Sequence, residues 1–368
     1  MPTAATCRER RRRLWAELPV RPTTGELAFC DPIHLAYLAG FWVDPISLGS
    51  PFGGLLLVRP DGSARLVHEN RLPASVQEAQ ADERIVVDWY DGQTPGRGPR
   101  EIAWLATARE LVPTGFEIHD NPGHPLAVPI AETLARHRRA KDWDELAIFR
   151  EAMKAGNAGH QWSRENVKPG MTEIAVYTGI AGACQRELGR PVVVYGDFAV
   201  CPGPERRGGP PTNRRLEVGD MLILDFSVVV QGYRSDFTNT LVVGREPNPD
   251  QQRLYDLCVR AMIAAENLLN IGTPCQALYD AVEGVFEKEG VSGAFGHHAG
   301  HGLGLTHPEA PFLVRRSTER LEADDVITLE PGLYVAGVGG CRIEHNYRIM
   351  PDSGFQRLSG HSLVPDTK

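Results

Sequence analysis

The stretch GDMLILDFSVVVQGYRSDFTNTLVVG, Gly219–Gly244, decides the fold of this chain. It opens with a short apolar run, typical of a buried strand, that ends in Asp225, and the β pattern continues beyond it. Gln231-Gly232 supply a turn, and the predicted returning strand Tyr233–Val243 carries Asp236. A carboxylate among apolar residues is costly unless it is paired or binds a metal. For two such aspartates on one hairpin, metal ligation explains the pattern as well as a capped turn or a salt bridge does.

The composition sets the class of protein. A chain of 368 residues predicts two domains, and an apolar fraction of 42% with 23% charged residues is ordinary for a soluble globular protein. The net charge of −8 argues against nucleic acid as the main partner, and no apolar run reaches the roughly 18–20 residues that span a membrane. Seven dispersed cysteines without a C-x-x-C pair predict reduced thiols in the cytoplasm.

The N-terminal region predicts a small α/β unit without a catalytic constellation. The basic cluster Arg8–Arg13 is interpreted as the solvated face of a first helix. A basic hinge, Arg136–Lys141, marks the predicted boundary between an N-terminal domain, 1–137, and a C-terminal domain, 138–368. Turn signals in the first domain separate four predicted strands, Glu26–Cys30, Gly54–Val58, Ala64–His68 and Arg84–Trp89.

Helical patterns dominate the chain on either side of the hairpin. Asp142 with Glu145 predicts a capping box for the first helix after the hinge, and Thr172 is the predicted N-cap of the second. The apolar spacing predicts four helices here, Trp143 to about Val167, Ile174–Leu188, Asp250–Leu269 and Cys275–Glu289.

A glycine-rich segment concentrates histidines near the C-terminal end of the chain. Phe295–His307 contains four histidines, His297, His298, His301 and His307. Its glycines allow close backbone approach, so the imidazoles could converge on one site, the alternative being a loop of solvated histidines. Further on, an apolar strand ends in Glu330, and a neighbouring predicted strand carries Glu344.

These residues have the chemistry of a metal centre. Oxygen-rich ligands with an imidazole favour divalent ions such as Mn, Co, Mg or Zn. Four carboxylates carry more negative charge than one divalent ion needs, so two bridged ions balance them better. Such a pair holds a hydroxide for attack on a carbonyl, which indicates metal-assisted hydrolysis. The carboxylates in question are Asp225, Asp236, Glu330 and Glu344.

The same motifs resemble those of the pita-bread metallopeptidases. Asp-x₁₀-Asp, Gly-His-Gly-x-Gly, Glu-Pro-Gly-x-Tyr and Arg-Ile-Glu occur in the order found in that family, which includes methionine aminopeptidase, aminopeptidase P, prolidase and creatinase. Their intervals are most similar to the prolidase and aminopeptidase P branch. The resemblance implies an α+β protein in which a C-terminal pita-bread fold follows a smaller N-terminal α/β creatinase-like domain.

The resemblance also implies roles for individual residues. Two divalent metal ions, Mn with Co or Zn as alternatives, would be held by Asp225, Asp236, His301, Glu330 and Glu344. Asp236 and Glu344 would bridge both ions, and Glu330 would take the proton from the metal-bound water.

Three further residues match family positions around the metals. His297 corresponds to a histidine that helps to bind substrate, and His307 to one that hydrogen-bonds the scissile carbonyl. Arg342 corresponds to the arginine that precedes the last ligand and orients the site.

Two departures from the family pattern concern the substrate pocket. Gly208 stands where peptidases of this branch have a pocket histidine, which makes the neighbouring Arg206 or Arg207 a candidate for holding a substrate carboxylate. His307 lies one position closer to His301 than the family spacing, with Pro308 after it.

The leading hypothesis is hydrolysis of Xaa-Pro peptide bonds in short peptides, as by an aminopeptidase P or a prolidase. The first alternative, favoured by Gly208, is a hydrolase of a small non-peptide C–N bond, similar to creatinase or ectoine hydrolase. The second is a non-enzymatic binding module on the same fold. A cytoplasmic homodimer without nucleic-acid or membrane partners is expected.

Overall fold

The computed structural model describes residues 2–19, 21–22, 25–46, 53–72, 78–96, 98, 100–111 and 116–366. The chain divides into two compact units next to the basic hinge. The first comprises Met1–Arg138 and Asp142–Ile148, and the second comprises Arg139–Lys141 and Phe149–Lys368.

The described residues of the first unit form a four-stranded sheet with helices. Strand β1 pairs antiparallel with β2, β2 antiparallel with β3, and β3 parallel with β4. Asp31 caps α2 by accepting hydrogen bonds from the Ile33 and His34 amides. All four predicted strands are present. The elements are α1 (Ala4–Glu17), β1 (Leu27–Phe29), α2 (Pro32–Ala39), β2 (Leu55–Val58), β3 (Ala64–Glu69), β4 (Glu83–Val87), α3 (Arg100–Leu111) and α4 (Ala127–His137).

The interpretation of the basic cluster on α1 as a solvated face holds for Arg8, Arg12 and Arg13, which are exposed, and is wrong for its two other arginines. Arg10 and Arg11 are 3% and 2% exposed. Arg10 donates to the Tyr37 carbonyl at 2.8 Å and to the Asp142 carboxylate at 2.8 Å, while Arg11 donates to the Leu38 carbonyl at 2.9 Å. Buried guanidinium groups are tolerated when their donors are satisfied, and here carbonyls in the last turn of α2 and a carboxylate accept hydrogen bonds from them.

Four long helices correspond to the predicted helical patterns. They are α5 (Trp143–Asn166), α6 (Glu173–Leu188), α7 (Pro249–Glu266) and α8 (Cys275–Lys288). The Thr172 side chain caps α6 as predicted, by accepting from the Ala175 amide. At α5 only one arm of the predicted capping box forms: the Asp142 amide donates to Glu145 at 2.8 Å.

The strands of the second unit form three sheets. One contains β5 (Val193–Val200), β6 (Met221–Val230), β7 (Tyr233–Arg234) and β8 (Phe237–Val242), with β5, β7 and β8 all antiparallel to β6. A second has the order β10-β9-β11-β14-β15, and β12 pairs with β13 in the third. These are β9 (Gly300–Gly302), β10 (Glu309–Leu313), β11 (Val326–Leu329), β12 (Gly332–Val335), β13 (Gly339–Arg342), β14 (His345–Ile349) and β15 (Phe355–Arg357).

The central hairpin differs from the prediction in two places. Asp225 lies inside β6 and not at its end, because β5 and β8 pair with it on both sides, Asp225 facing Asp197 and Thr238. The returning strand is interrupted at Asp236, between β7 and β8. The turn is as predicted: Gln231 and the following glycine have φ of 51° and 87°, as a two-residue hairpin turn requires.

A buried ion pair fixes the hinge residue Arg139 within the second unit. Its guanidinium donates to both Asp325 oxygens, at 3.0 and 2.7 Å, and Asp325 is 0% exposed.

We expect Asp325→Ala to lower the free energy of unfolding by about 3 kcal/mol, because it leaves the largely buried charge of Arg139 without its main partner. Glu289→Ala, which removes the surface partner of Arg260, should cost less than about 1 kcal/mol. Urea unfolding measures both, and equal losses would contradict the expectation.

Candidate active site

A cavity of about 320 Å³ in the second unit is lined by the residues predicted for the site except Glu344, which lies next to two of them. Its walls come from the hairpin, the histidine-rich segment, and the strands around Glu330 and Arg342. The lining residues are Tyr195, Gly196, Asp197, Arg207, Asp225, Ser227, Asp236, His297, His298, His301, His307, Glu330, Tyr334 and Arg342.

Three carboxylates converge beside the cavity. Ligand oxygens of Asp225, Asp236 and Glu344 all lie within 4.8 Å of one another. Pairing of β6 with β8 brings the first two together, and Glu344 follows β13 with its amide bonded to the Thr238 carbonyl at 3.0 Å. One Glu344 oxygen, Oε2, accepts from the Thr238 hydroxyl at 2.6 Å. The other, Oε1, is buried with no hydrogen-bond partner among the described residues.

The electrostatics of this group suit a cation. Burial, opposed by Arg342 and reinforced by Asp236, raises the pKa of Asp225 to about 7. Burial and the neighbouring Asp236 and Asp225 raise the pKa of Glu344 well above its ordinary value. Mutually repelling buried carboxylates with an unpartnered oxygen form a donor set that fits divalent ions.

His301 and Glu330 face the same group from the neighbouring sheet. His301 Nε2 lies 3.6 Å from Asp236 Oδ2 and 3.5 Å from Glu330 Oε1. Its Nδ1 is 2.9 Å from the Gly302 carbonyl oxygen, which assigns the ring hydrogen to Nδ1 and leaves Nε2 as the ligand atom. Burial opposes ionisation of Glu330, yet His298 at 3.2 Å and the other histidines hold its pKa below the ordinary value.

The structure also brings His307 into the site. Its Nε2 lies 2.6 Å from Asp236 Oδ2. The imidazole therefore reaches the site although His307 is one residue closer to His301 than in the family pattern. Burial lowers its pKa, but the bond to Asp236 outweighs this and leaves the pKa raised. Glu309 holds the loop by accepting from the Thr306 hydroxyl at 2.8 Å and pairing with buried Lys141 at 3.0 Å.

Arg342 links both sides of the cavity. It donates to Asp225 at 2.5 Å, to Asp197 at 2.6 Å and to the Tyr334 hydroxyl at 2.9 Å. The Tyr334 hydroxyl is 3.3 Å from His297 Nε2, and burial lowers the His297 pKa to about 4. A neutral His297 therefore offers its Nε2 as a hydrogen-bond acceptor.

The lining residues outside the predicted site include Asp197, Tyr334 and His298. Asp197 was missed because β5 was not predicted at all, although it faces Asp225 in register. Tyr334 belongs to the Glu-Pro-Gly-x-Tyr motif, which was a usable signal. His298 belongs to the histidine-rich segment, and its bond to Glu330 raises its pKa against the effect of burial.

Asp197 explains the glycine at position 208. Gly208 has φ +151°, and a Cβ built there would lie 2.0 Å from Asp197 Oδ2. The Asp197 carboxylate is held in that space by the Gly209 amide at 2.8 Å and by Arg342. A carboxylate from β5 thus occupies the room that a histidine at this position would need.

Comparison with known proteins identifies the family. A model of metallopeptidase family M24 matches residues 147–351. The chain belongs to this family. A peptidase of Staphylococcus aureus, itself uncharacterized, is 30% identical to this M24 chain over 343 residues, 89% of the chain and 92% of the relative. Other peptidases of that species match over 232 residues, 62% of this chain and 64% of their own length.

Solved structures give the same fold over the whole chain. An Xaa-Pro dipeptidase from Bacillus anthracis has a TM-score of 0.76 at 23% identity, covering 98% of this chain and 99% of that one. Dipeptidase PepE from Mycobacterium ulcerans has a TM-score of 0.71 at 25% identity, covering 100% and 99%. The predicted α+β pita-bread metallopeptidase with an N-terminal α/β domain is confirmed.

Membership of M24 makes the protein a metallopeptidase, an enzyme of a family that uses divalent metal ions. The non-enzymatic alternative is therefore set aside. In the described parts of the chain, none of the helices combines the length and the apolar character needed to cross a membrane.

The carboxylate cluster predicts a metal-dependent stability. Manganese at 100 times its Kd should stabilise the native protein by about 2.7 kcal/mol, because it binds only the folded cluster. Glu344→Gln should raise the thermal midpoint of metal-free protein by relieving repulsion, and should remove the manganese-induced rise. Thermal unfolding with and without metal measures both effects, with Glu246→Gln at an exposed position as the matched control. An unchanged wild-type midpoint with Mn, Co and Zn would contradict the cluster's assignment.

Proposed function

We propose that the protein is a dinuclear-metal hydrolase that cleaves Xaa-Pro bonds in short peptides. The observation that carries this proposal is the convergence of three buried carboxylates with an unpartnered Glu344 oxygen, next to His301 and Glu330. The preference for proline draws support from the M24 match and from the names of structural neighbours such as the Bacillus anthracis Xaa-Pro dipeptidase.

The metal ligands in this proposal are Asp225, Asp236, His301, Glu330 and Glu344. The charge of the four carboxylates supports two divalent ions and not one, and oxygen-rich ligands with one imidazole favour manganese, with cobalt or zinc as alternatives. When bound, such a pair lowers the pKa of a water molecule and polarises the scissile carbonyl.

The chain's own residues move protons and hold the substrate. Glu330 accepts the proton of the attacking water. The neighbouring histidines lower its pKa and keep its carboxylate ionised. His307 hydrogen-bonds the scissile carbonyl oxygen, and His297 helps to bind the substrate. Arg342 orients Asp225 through their 2.5 Å contact.

The setting of the enzyme forms part of the proposal. All seven cysteines are free and six are buried, which supports a reducing compartment and hence the cytoplasm. We also propose a homodimer whose catalytic domain is 138–368, as the family resemblance implies.

A hydrolase of a small non-peptide C–N bond is the second candidate. One observation favours it: Asp197 occupies the space of the pocket histidine beside Gly208, so this wall of the cavity carries a carboxylate in place of an imidazole.

A substrate panel separates the two candidates. We expect chelator-treated protein to cleave Xaa-Pro peptides only after Mn, Co or Zn is added back, and to leave matched Xaa-Ala peptides intact. Creatine-like and N-acyl amino-acid substrates complete the panel, and product formation is followed by chromatography. Turnover of a small amide without cleavage of any peptide in the panel would favour the second candidate.

Asp236→Asn tests the metal mechanism within the same assay. We expect turnover and metal content to be lost together while the circular dichroism spectrum is retained, because Asp236 contacts both His301 and His307 and lies in the carboxylate cluster. Asp280→Asn, at an exposed position on α8, is the matched control. An active Asp236→Asn variant would remove the metal assignment.

A further inference from the structure

Two arginines line the cavity, and they differ in their partners. Arg342 is neutralised by Asp225 and Asp197, at 2.5 and 2.6 Å. Arg207 is exposed, and among the described residues no carboxylate pairs with it. Its contacts are the Gly296 carbonyl oxygen at 3.1 Å and the face of the Tyr334 ring, whose centroid is 5.2 Å from Cζ. The guanidinium is therefore positioned, but its charge is not compensated.

Neighbouring residues hold Arg207 in this place. Its backbone carbonyl accepts from Arg342 Nη1 at 3.3 Å, which ties it to the residue that contacts Asp225. A Cβ built on Gly296 would lie 2.2 Å from Arg207 Nη1, so the guanidinium occupies space that this glycine leaves open. Gly296 precedes His297, one of the cavity residues, which places the positive charge beside the reaction site.

The adjacent arginine is used differently. Arg206 pairs at 3.2 Å with Glu173, which is 0% exposed. Glu173 also accepts from the Thr212 hydroxyl at 2.6 Å and the Val200 amide at 2.9 Å, so the pair belongs to a buried network outside the cavity. Of the two candidates for a carboxylate-binding arginine, only Arg207 faces the cavity.

We propose that Arg207 binds the free C-terminal carboxylate of the substrate and selects dipeptides over longer or amidated peptides. This inference rests on the proposed Xaa-Pro hydrolysis. In a dipeptide the carboxylate follows the scissile bond by one residue, on the order of 4 Å from the reacting carbonyl. A planar guanidinium with free N–H groups forms paired, charge-assisted hydrogen bonds with a carboxylate. In a longer peptide a neutral amide stands in that position.

The test crosses variants of the manganese-loaded protein with two substrates, an Xaa-Pro dipeptide and its C-terminal amide. For Arg207→Gln we expect KM for the dipeptide to rise roughly 10-fold to 100-fold with kcat nearly unchanged, as loss of a charged hydrogen bond in uniform binding predicts. Kinetics on the amide should stay within about 2-fold of the wild type, because the amide has no charge for Arg207 to bind.

Three further variants sharpen the result. Arg207→Lys should recover part of the dipeptide KM, since it keeps the charge but not the planar fork. Gly296→Ala should give a weaker dipeptide-specific defect by displacing the guanidinium. Arg206→Gln, the matched control, should leave both substrates unaffected.

The outcomes distinguish this inference from the proposed function. Equal losses on dipeptide and amide in Arg207→Gln, with active wild type, would overturn the carboxylate role and leave Xaa-Pro hydrolysis standing. A wild type that cleaves neither substrate would overturn the proposed function, and the role of Arg207 with it.

Discussion

The burial of three mutually repelling carboxylates is the constraint on which the rest of the second unit depends. Strand pairing fixes Asp225 opposite Thr238, and the bond from the Glu344 amide to the Thr238 carbonyl brings the third carboxylate to the same place. Neither strand can shift by one residue without turning a carboxylate to the other face of its sheet. Because burial raises the pKa of Asp225 and Glu344, the metal-free fold holds unfavourable charge that a divalent cation would offset.

Within the protein, Arg342 offsets part of this charge and organises one cavity wall. Its contacts with Asp225 and Asp197 join two neighbouring strands of one sheet through a residue of another. The same guanidinium donates to the Tyr334 hydroxyl, which is also near His297. A change at Arg342 would therefore alter the electrostatics of the carboxylates and the position of the substrate-facing groups together.

The sequence predicted the part of the site that depends on local patterns. An apolar hairpin with two aspartates, four clustered histidines and glutamates after apolar runs are visible without coordinates, and the structure brings these residues to one cavity. Asp197 was missed although the valines and aromatic residues of β5 are a usable strand signal, because its position opposite Asp225 arises only from long-range strand pairing. Burial of Arg10 and Arg11 was missed for a similar reason: their partners include carbonyls in the last turn of α2, 27 residues away in the sequence.

The absence of a histidine at position 208 is not an isolated change, because the residues of this cavity wall depend on one another. A histidine at this position would place its side chain in the space that Asp197 occupies. It would also have to adopt the backbone φ of Gly208, which residues with a side chain rarely adopt. Moving Asp197 would in turn remove one of the two carboxylates that hold Arg342, and Arg342 supports the backbone of Arg207. The positions of Gly208, Asp197, Arg342 and Arg207 are therefore coupled, since the place of each depends on the next. Arg206 lies outside this wall, because its partner Glu173 belongs to a buried network away from the cavity.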